Sequence, residues 1–207
     1  MGFASRSCSF TRFKIIDPVS EELLAQIILK LKQAAFRDID DTLEMEAHGW
    51  VNFENMLDSE WSSTPPQKGA YIVFSLRQDL RRIPVAVIKK HLSLALIDEK
   101  NRISEQGKKF ISRERKKEIK EQVLLRLRSR FLPIPGEFNV LWATTKNEVW
   151  FASTQSKMID LFMEHFFNTF DLHLEQMTPY NLANSMLGED AQVQLDKLEA
   201  TQFTITS

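Results

Sequence analysis

The feature that most constrains the fold is a strongly basic, largely helical segment in the middle of the chain. Residues 77–130 hold 17 of the 27 lysine and arginine residues but only seven acidic residues, which gives the segment a net charge of +10. Because the formal net charge of the whole chain is −1, the remaining residues carry −11. A nearly neutral chain thus combines a segment that would attract a polyanion with a remainder that would repel it.

Two amphipathic helices account for most of the basic segment. Pro84 suits the first position of a helix, where a missing N–H group costs no hydrogen bond, and apolar residues follow it at three- and four-residue steps up to Leu96. A second helix is predicted from Ser112, which would cap it, to Arg130. The apolar stripe of this second helix consists of Ile119, Val123, Leu127 and, a little to one side, Leu124.

The lysines and arginines of these helices are candidates for contact with a polyanion. In the second helix, four of them lie near the azimuth of the apolar stripe, since successive residues are about 100° apart. We therefore expect the C-terminal turns to pack on a core and the N-terminal turns to project beyond it. The alternative is a solvated helix with internal ion pairs. The excess of ten charges favours nucleic acid. The predicted DNA-binding residues are Arg81, Arg82, Lys89, Lys90, Lys109, Arg113, Lys116, Lys117 and Lys120.

The other segments predict a mixture of strands and helices without regular alternation. In chain order they are a strand (7–16), a helix (20–36), a strand (70–80), the two basic helices, a β-hairpin (137–144 and 148–153), a helix (153–170), a strand (172–177) and a helix (179–187). Residues 37–61 give no prediction of secondary structure. This order predicts an α+β fold with a mainly antiparallel sheet and flanking helices.

The same pattern predicts how the chain is divided. Residues 1–80 and 132–187 are expected to form the α+β core, and residues 81–131 a protruding basic helical subdomain inserted into it. Residues 188–207 are acidic and poor in large apolar side chains, which is typical of a loose or docking tail. A single cysteine, Cys8, excludes an internal disulfide, and no apolar run is long enough for a membrane span, so we expect a soluble cytoplasmic protein.

Four segments, in this order and at this spacing, resemble the bacterial recombination-associated RdgC family. They are Gly49-Trp50-Val51, the helix opening Ile83–Lys90 (IPVAVIKK), Arg115–Lys120 (RKKEIK) leading to Leu132-Pro133, and the hairpin Phe138–Phe151. The resemblance covers roughly residues 10–179.

The resemblance implies a DNA-binding protein without sequence preference that limits recombinase filaments and associates with the nucleoid. It also implies a ring-shaped dimer with a basic hole around duplex DNA. With 207 residues the chain resembles a shortened member of the family. An open dimer is therefore expected as an alternative to the closed ring. The expected partners are duplex DNA, single-stranded DNA, a second copy of the chain and a recombination protein, with no membrane.

A nuclease activity, with which the family is also labelled, would need several carboxylates converging on a hard cation. The densest candidates are Asp38, Asp40, Asp41, Glu44, Glu46 and His48, with Asp171, His173 and Glu175 as a second group. The spacing of the first group matches no EF-hand loop, and a solvated acidic turn explains it. The second group could place two ligands on one strand face, but an edge strand with polar outward positions explains it as well. We therefore expect no catalytic residue, no metal and no cofactor. The alternatives are a metal-dependent exonuclease that uses residues 38–46 and an adaptor that binds an acidic protein.

Overall fold

The computed structural model describes residues 3, 7–105, 110–188, 193 and 195–199. The described elements, in chain order, are β1 (Thr11–Ile15), α1 (Glu21–Ala25), α2 (Ile27–Gln33), β2 (Glu46–Val51), β3 (Gln67–Lys68), β4 (Tyr71–Leu80), α3 (Val85–Glu105), α4 (Arg113–Arg128), β5 (Ile134–Ala143), β6 (Glu148–Phe151), α5 (Ser156–Phe170), β7 (Leu174–Gln176) and α6 (Pro179–Leu187).

The strands form one seven-stranded antiparallel sheet in the order β2-β4-β5-β6-β1-β7, with the short β3 paired to β4. The predicted α+β class is thus confirmed. The chain divides into two compact units. The first contains residues 1–30, 67–73 and 139–207, and the second contains residues 31–66 and 74–138. The prediction of an inserted subdomain at residues 81–131 stays a prediction.

The core of the first unit is rich in aromatic side chains and lies between α5 and the strands of this unit. The alternation of β1 places Phe13 and Ile15 inward and Arg12 and Lys14 outward. On α5, Phe162 recurs with Phe166 and Phe170 at four-residue steps, so that all three face the strands. The rings of Phe162 and Phe151 stack with centroids 4.2 Å apart.

In the second unit, β2 pairs with β4 from Glu46↔Leu80 to Val51↔Ser75. The chain after α2 lies along the other side of β2, because Phe36 N–H donates to Trp50 O and Trp50 N–H donates to Ala34 O, both at 3.0 Å. At Gly49 a Cβ atom would overlap the backbone of Phe36. Only glycine permits this close approach.

Two local predictions differ from the structure. The helix predicted over residues 20–36 is broken into α1 and α2 at Gln26, whose backbone leaves helical geometry with φ −96° and ψ 7°. Strand β2 falls within the segment that gave no prediction. Its burial does not alternate, since Glu46 and His48 are exposed whereas Gly49, Trp50 and Val51 are buried, and the strand is defined by its pairing with β4.

Candidate nucleic-acid interface

Helices α3 and α4 pack side by side through an apolar seam. The three buried residues of α4, Ile119, Val123 and Leu127, recur at four-residue steps and form one ridge. Ser112 caps this helix as predicted, since its hydroxyl accepts a hydrogen bond from the backbone N–H of Arg115. The apolar residues packed against the ridge are Ile83, Val87, Ile88, Leu92, Ala95, Leu96 and Phe131.

A buried carboxylate continues the seam toward the start of α4. Glu99 of α3 accepts hydrogen bonds from Arg115 Nε at 2.8 Å and from Arg102 Nη2 at 2.9 Å. A second nitrogen of the Arg115 guanidinium, Nη1, donates to Glu118 at 2.8 Å. The hydrogen bond from Arg115 is the main cause that lowers the pKa of Glu99 below its ordinary value of 4.5.

The sequence led us to expect that the first turns of α4 project beyond the packed region. In the structure they do not. They lie beside the last turns of α3, where Ile103 is also buried. The ridge continues at the same four-residue spacing back to Arg115, whose guanidinium pairs with Glu99 of α3, so the first turn of α4 also contacts α3.

The two sides of the α3–α4 pair differ in charge. One side is a crevice in which acidic and basic side chains alternate. Its polar lining residues are Asp98, Glu99 and Arg102 of α3 and Arg115, Gln122 and Arg126 of α4. The two carboxylates offset two of the three guanidiniums there, so the net positive charge of this side is small.

The opposite side of the pair is purely basic. Helical spacing, measured from the buried ridge, places Lys89 and Lys100 of α3 on that side, together with four residues of α4. We call the following set the basic face: Lys89, Lys100, Arg113, Lys116, Lys117 and Lys120, all exposed. No acidic residue of these two described helices falls within that arc. The nearest, Glu121, borders it at 4.0 Å from Lys117 Nζ.

The structure brings together five of the nine predicted DNA-binding residues, those at positions 89, 113, 116, 117 and 120. Lys90 is exposed but points about 100° away from Lys89, on the outward side of α3. Arg82 is exposed in the segment before α3. Lys109 lies outside the described residues. Lys100 was missed, although it follows Lys89 by three helical turns, and this spacing could have identified it.

Arg81 has a different role from the predicted one. It is 3% exposed, and its guanidinium donates to the backbone oxygens of Ile39, Asp40 and Thr42. The side chain thus satisfies carbonyl groups of the acidic loop after α2 and stabilises that loop. We therefore leave Arg81 out of the basic face.

The family model described as "Putative exonuclease, RdgC" matches residues 10–189 of the chain. The chain belongs to the RdgC family. No curated protein matches it. In this RdgC-family chain, as far as its residues are described, no helix is long and apolar enough to cross a membrane.

The acidic candidates of this RdgC-family chain do not converge. Among the described residues, no group of three or more histidine, cysteine or acidic side chains is placed to hold a metal ion. Asp38 accepts a hydrogen bond from the backbone of Asp40 at 2.7 Å, which is typical of a turn. In the second group, His173 pairs with Asp17 through Nδ1 at 3.0 Å.

The tryptophans of this RdgC-family chain are mostly core residues. Trp50 and Trp142 are fully buried and Trp61 is 8% exposed. Trp150 is half-buried and stacks on Phe10, with ring centroids 5.3 Å apart. The three buried tryptophans therefore offer no ring to stack on a nucleic-acid base.

Proposed function

We propose that the protein binds duplex DNA without sequence preference through the basic face and thereby modulates recombination. Membership of the RdgC family supports a recombination-associated DNA-binding role. The observation that carries the proposal is the segregation of charge on the α3–α4 pair, with six cations on one side and mixed charges on the other.

The chemistry of the basic face suits the DNA backbone rather than the bases. Five of its six cations are lysines, which act as mobile point charges and lack the rigid fork that reads a guanine edge. Contacts to phosphate fix the position of a protein on the duplex but carry no sequence information. We therefore expect different duplex sequences to compete almost equally for the protein.

The size of the basic face limits the number of phosphate contacts. The stretch from Arg113 to Lys120 of α4 rises about 10 Å at 1.5 Å per residue, which spans a few phosphates along one strand. Four to six contacts per protomer would give a slope of roughly −4 to −5 in a plot of log affinity against log salt concentration.

Titrations of labelled duplex DNA at several salt concentrations test the proposal. A steep loss of affinity with salt, equal for unrelated sequences, supports it. A flat salt response would defeat it. A further experiment lets an unrelated acidic protein compete with duplex DNA. If the protein binds this competitor as tightly as DNA, the adaptor function is favoured instead.

We extend the proposal to assembly as a dimer whose two basic faces line a shared cleft or ring. Two linked sites make the second DNA contact intramolecular, which raises avidity without a new contact. Closed two-fold assemblies are also the commonest oligomers. Light scattering over a concentration series, with and without duplex DNA, tests this part, and a mass of one chain under both conditions would contradict it.

The family description names a second candidate function, an exonuclease. We propose instead that DNA binding by this chain is not coupled to cleavage. End-labelled duplex incubated with the protein and Mg²⁺ or Mn²⁺ should keep its length. Metal-dependent shortening that is lost in the variant with both Asp40→Ala and Asp41→Ala would establish the nuclease.

A further inference from the structure

Glu99 is the one acidic residue in the packed seam of α3. Helix α3 has two buried residues, and Glu99 is one of them, with 8% of its surface exposed. A buried carboxylate costs free energy unless it is paired and hydrogen-bonded. The position of such a group is therefore restricted to arrangements in which its partner is within reach.

The partner of Glu99 comes from the first turn of α4. Arg115 donates through Nε to Oε1 at 2.8 Å and through Nη2 to Oε2 at 3.3 Å, so that both carboxylate oxygens are used. A bidentate pair fixes direction as well as distance. Sliding α4 by about one turn would keep apolar residues of the four-residue ridge in the seam, but it would move Arg115 away and leave the carboxylate unpaired.

The same turns that form this ion pair carry half of the basic face. Lys100 follows Glu99 directly on α3, and Arg113 and Lys116 flank Arg115 on α4. The register and rotation of α4 against α3 thus decide whether these three cations share one side. Cations that share one side can contact consecutive phosphates, and cations that diverge cannot.

We propose that Glu99, acting through Arg115, is a positioning residue for DNA binding. The Glu99–Arg115 ion pair fixes the start of α4 so that Lys100, Arg113 and Lys116 align on the basic face. This inference rests on the proposed function. It predicts that removing a negative charge next to a DNA-binding surface weakens binding, which is the opposite of what the field of the protein alone would do.

The variant Glu99→Gln tests the inference, with Asp98→Asn as its matched control. Both replacements remove one negative charge from neighbouring residues that line the same crevice. Asp98 is exposed and forms no ion pair with any described residue. We expect Glu99→Gln to lower the affinity for duplex DNA about fivefold and to reduce the salt slope by about one to two units, because aligned phosphate contacts are lost. Asp98→Asn should leave affinity unchanged or raise it.

A double-mutant cycle separates positioning from charge. If Glu99 and Arg115 act as one unit, the variant with both Glu99→Gln and Arg115→Gln should bind DNA about as weakly as Arg115→Gln alone. Independent electrostatic contributions would add instead.

Arg115→Lys provides a second test should Glu99→Gln fail to fold, since lysine keeps the positive charge but lacks the guanidinium that binds both oxygens of the Glu99 carboxylate. It should weaken binding at constant net charge.

The outcomes distinguish this inference from the proposed function. Salt-sensitive binding by the unmodified protein together with unchanged or tighter binding by Glu99→Gln would overturn the positioning role and leave the basic face standing. Unchanged binding by Arg115→Lys would also overturn it. Absence of salt-sensitive binding by the unmodified protein would defeat the proposed function itself.

Discussion

Arg77 and Asp79, two residues apart on β4, form a buried bidentate ion pair. Arg77 Nε donates to Asp79 Oδ1 at 2.8 Å and Nη2 donates to Oδ2 at 2.7 Å. The guanidinium also lies 4.1 Å from the centre of the Phe36 ring. The hydrogen bonds that Arg77 donates to Asp79 are the main cause that raises the pKa of Arg77, and the charge of Asp79 adds to it. Asp79 lies in the same segment, so the pair contributes no net charge to the basic segment.

The pair gives a first prediction, on stability. Asp79 is 1% exposed, so Asp79→Ala would leave the Arg77 cation buried without its main partner. Breaking a buried pair in this way costs about 3 kcal/mol or more of the free energy of unfolding. Urea unfolding followed by circular dichroism measures the loss.

Asp38→Ala is the matched control. Its carboxylate lies 3.9 Å from Arg77 Nη2, but its side chain is 58% exposed. An exposed ion pair contributes about 0–1 kcal/mol. Equal losses for the two variants would show that the Arg77–Asp79 contact is not the source of the stabilisation.

A second prediction concerns the basic face. Replacing Arg113, Lys116 and Lys120 by alanine should weaken duplex binding about tenfold and reduce the salt slope by about 2.7, because three phosphate contacts are lost. The loss should be similar for all duplex sequences. Stability should change little, because the three side chains are exposed.

The control for this variant removes three positive charges elsewhere. Lys90, Arg126 and Lys157 are exposed and lie outside the basic face. Their joint replacement by alanine lowers the net charge by the same amount but should cost only a small part of the affinity. Should both triple variants lose affinity equally, net charge rather than the basic face would govern binding.

A third prediction concerns the seam between α3 and α4. Val123 is 4% exposed in the ridge of α4, so Val123→Asp would place an unpaired charge among apolar side chains. We expect a loss of about 3 kcal/mol or more in the free energy of unfolding, or aggregation. Leu125→Asp, on the same helix but at a residue that is 51% exposed, should change stability little. Thermal unfolding of the two variants compares them directly.

The sequence predicted most elements because their patterns are local. The stripe of α4, its Ser112 cap, the hairpin of β5 and β6, and α6 after Pro179 all follow from spacing and capping residues that act within a few positions. Strand β2 could not be predicted in this way. Its backbone pairs with β4 on one side and with residues 34–36 on the other, which are contacts between distant segments.

The candidate site was predicted only in part, because only some of its features depend on local spacing. Charge and helical spacing singled out Arg113, Lys116, Lys117 and Lys120, which are all exposed in the structure, but their role in DNA binding stays a prediction. Arg81 is buried because its guanidinium donates to three backbone oxygens of residues about 40 positions earlier in the chain. Sequence spacing carries no information on such contacts. The ion pair between Glu99 and Arg115 was not predicted either, because it joins residues of two different helices across the seam.

The last prediction concerns acid stability and rests on Asp58. This side chain is 8% exposed and accepts hydrogen bonds from the backbone N–H groups of Glu60, Ser62 and Ser63 and from the hydroxyls of both serines. Burial raises the pKa of the Asp58 carboxyl, but the hydrogen bonds, led by those from Ser63, outweigh it and hold the pKa well below the ordinary value of 3.8.

The sign of the effect follows from linkage. A carboxyl whose pKa is lower in the folded than in the unfolded state stabilises the fold above the unfolded value, and this contribution is lost as the pH falls toward the folded value. The loop over residues 52–64 should therefore weaken as the pH drops below about 4. Asp58→Asn cannot titrate, so its free energy of unfolding should be lower at pH 6 and should vary less between pH 4 and pH 2.5 than that of the unmodified protein. Parallel curves of stability against pH for the two proteins would show that Asp58 is not the titrating group.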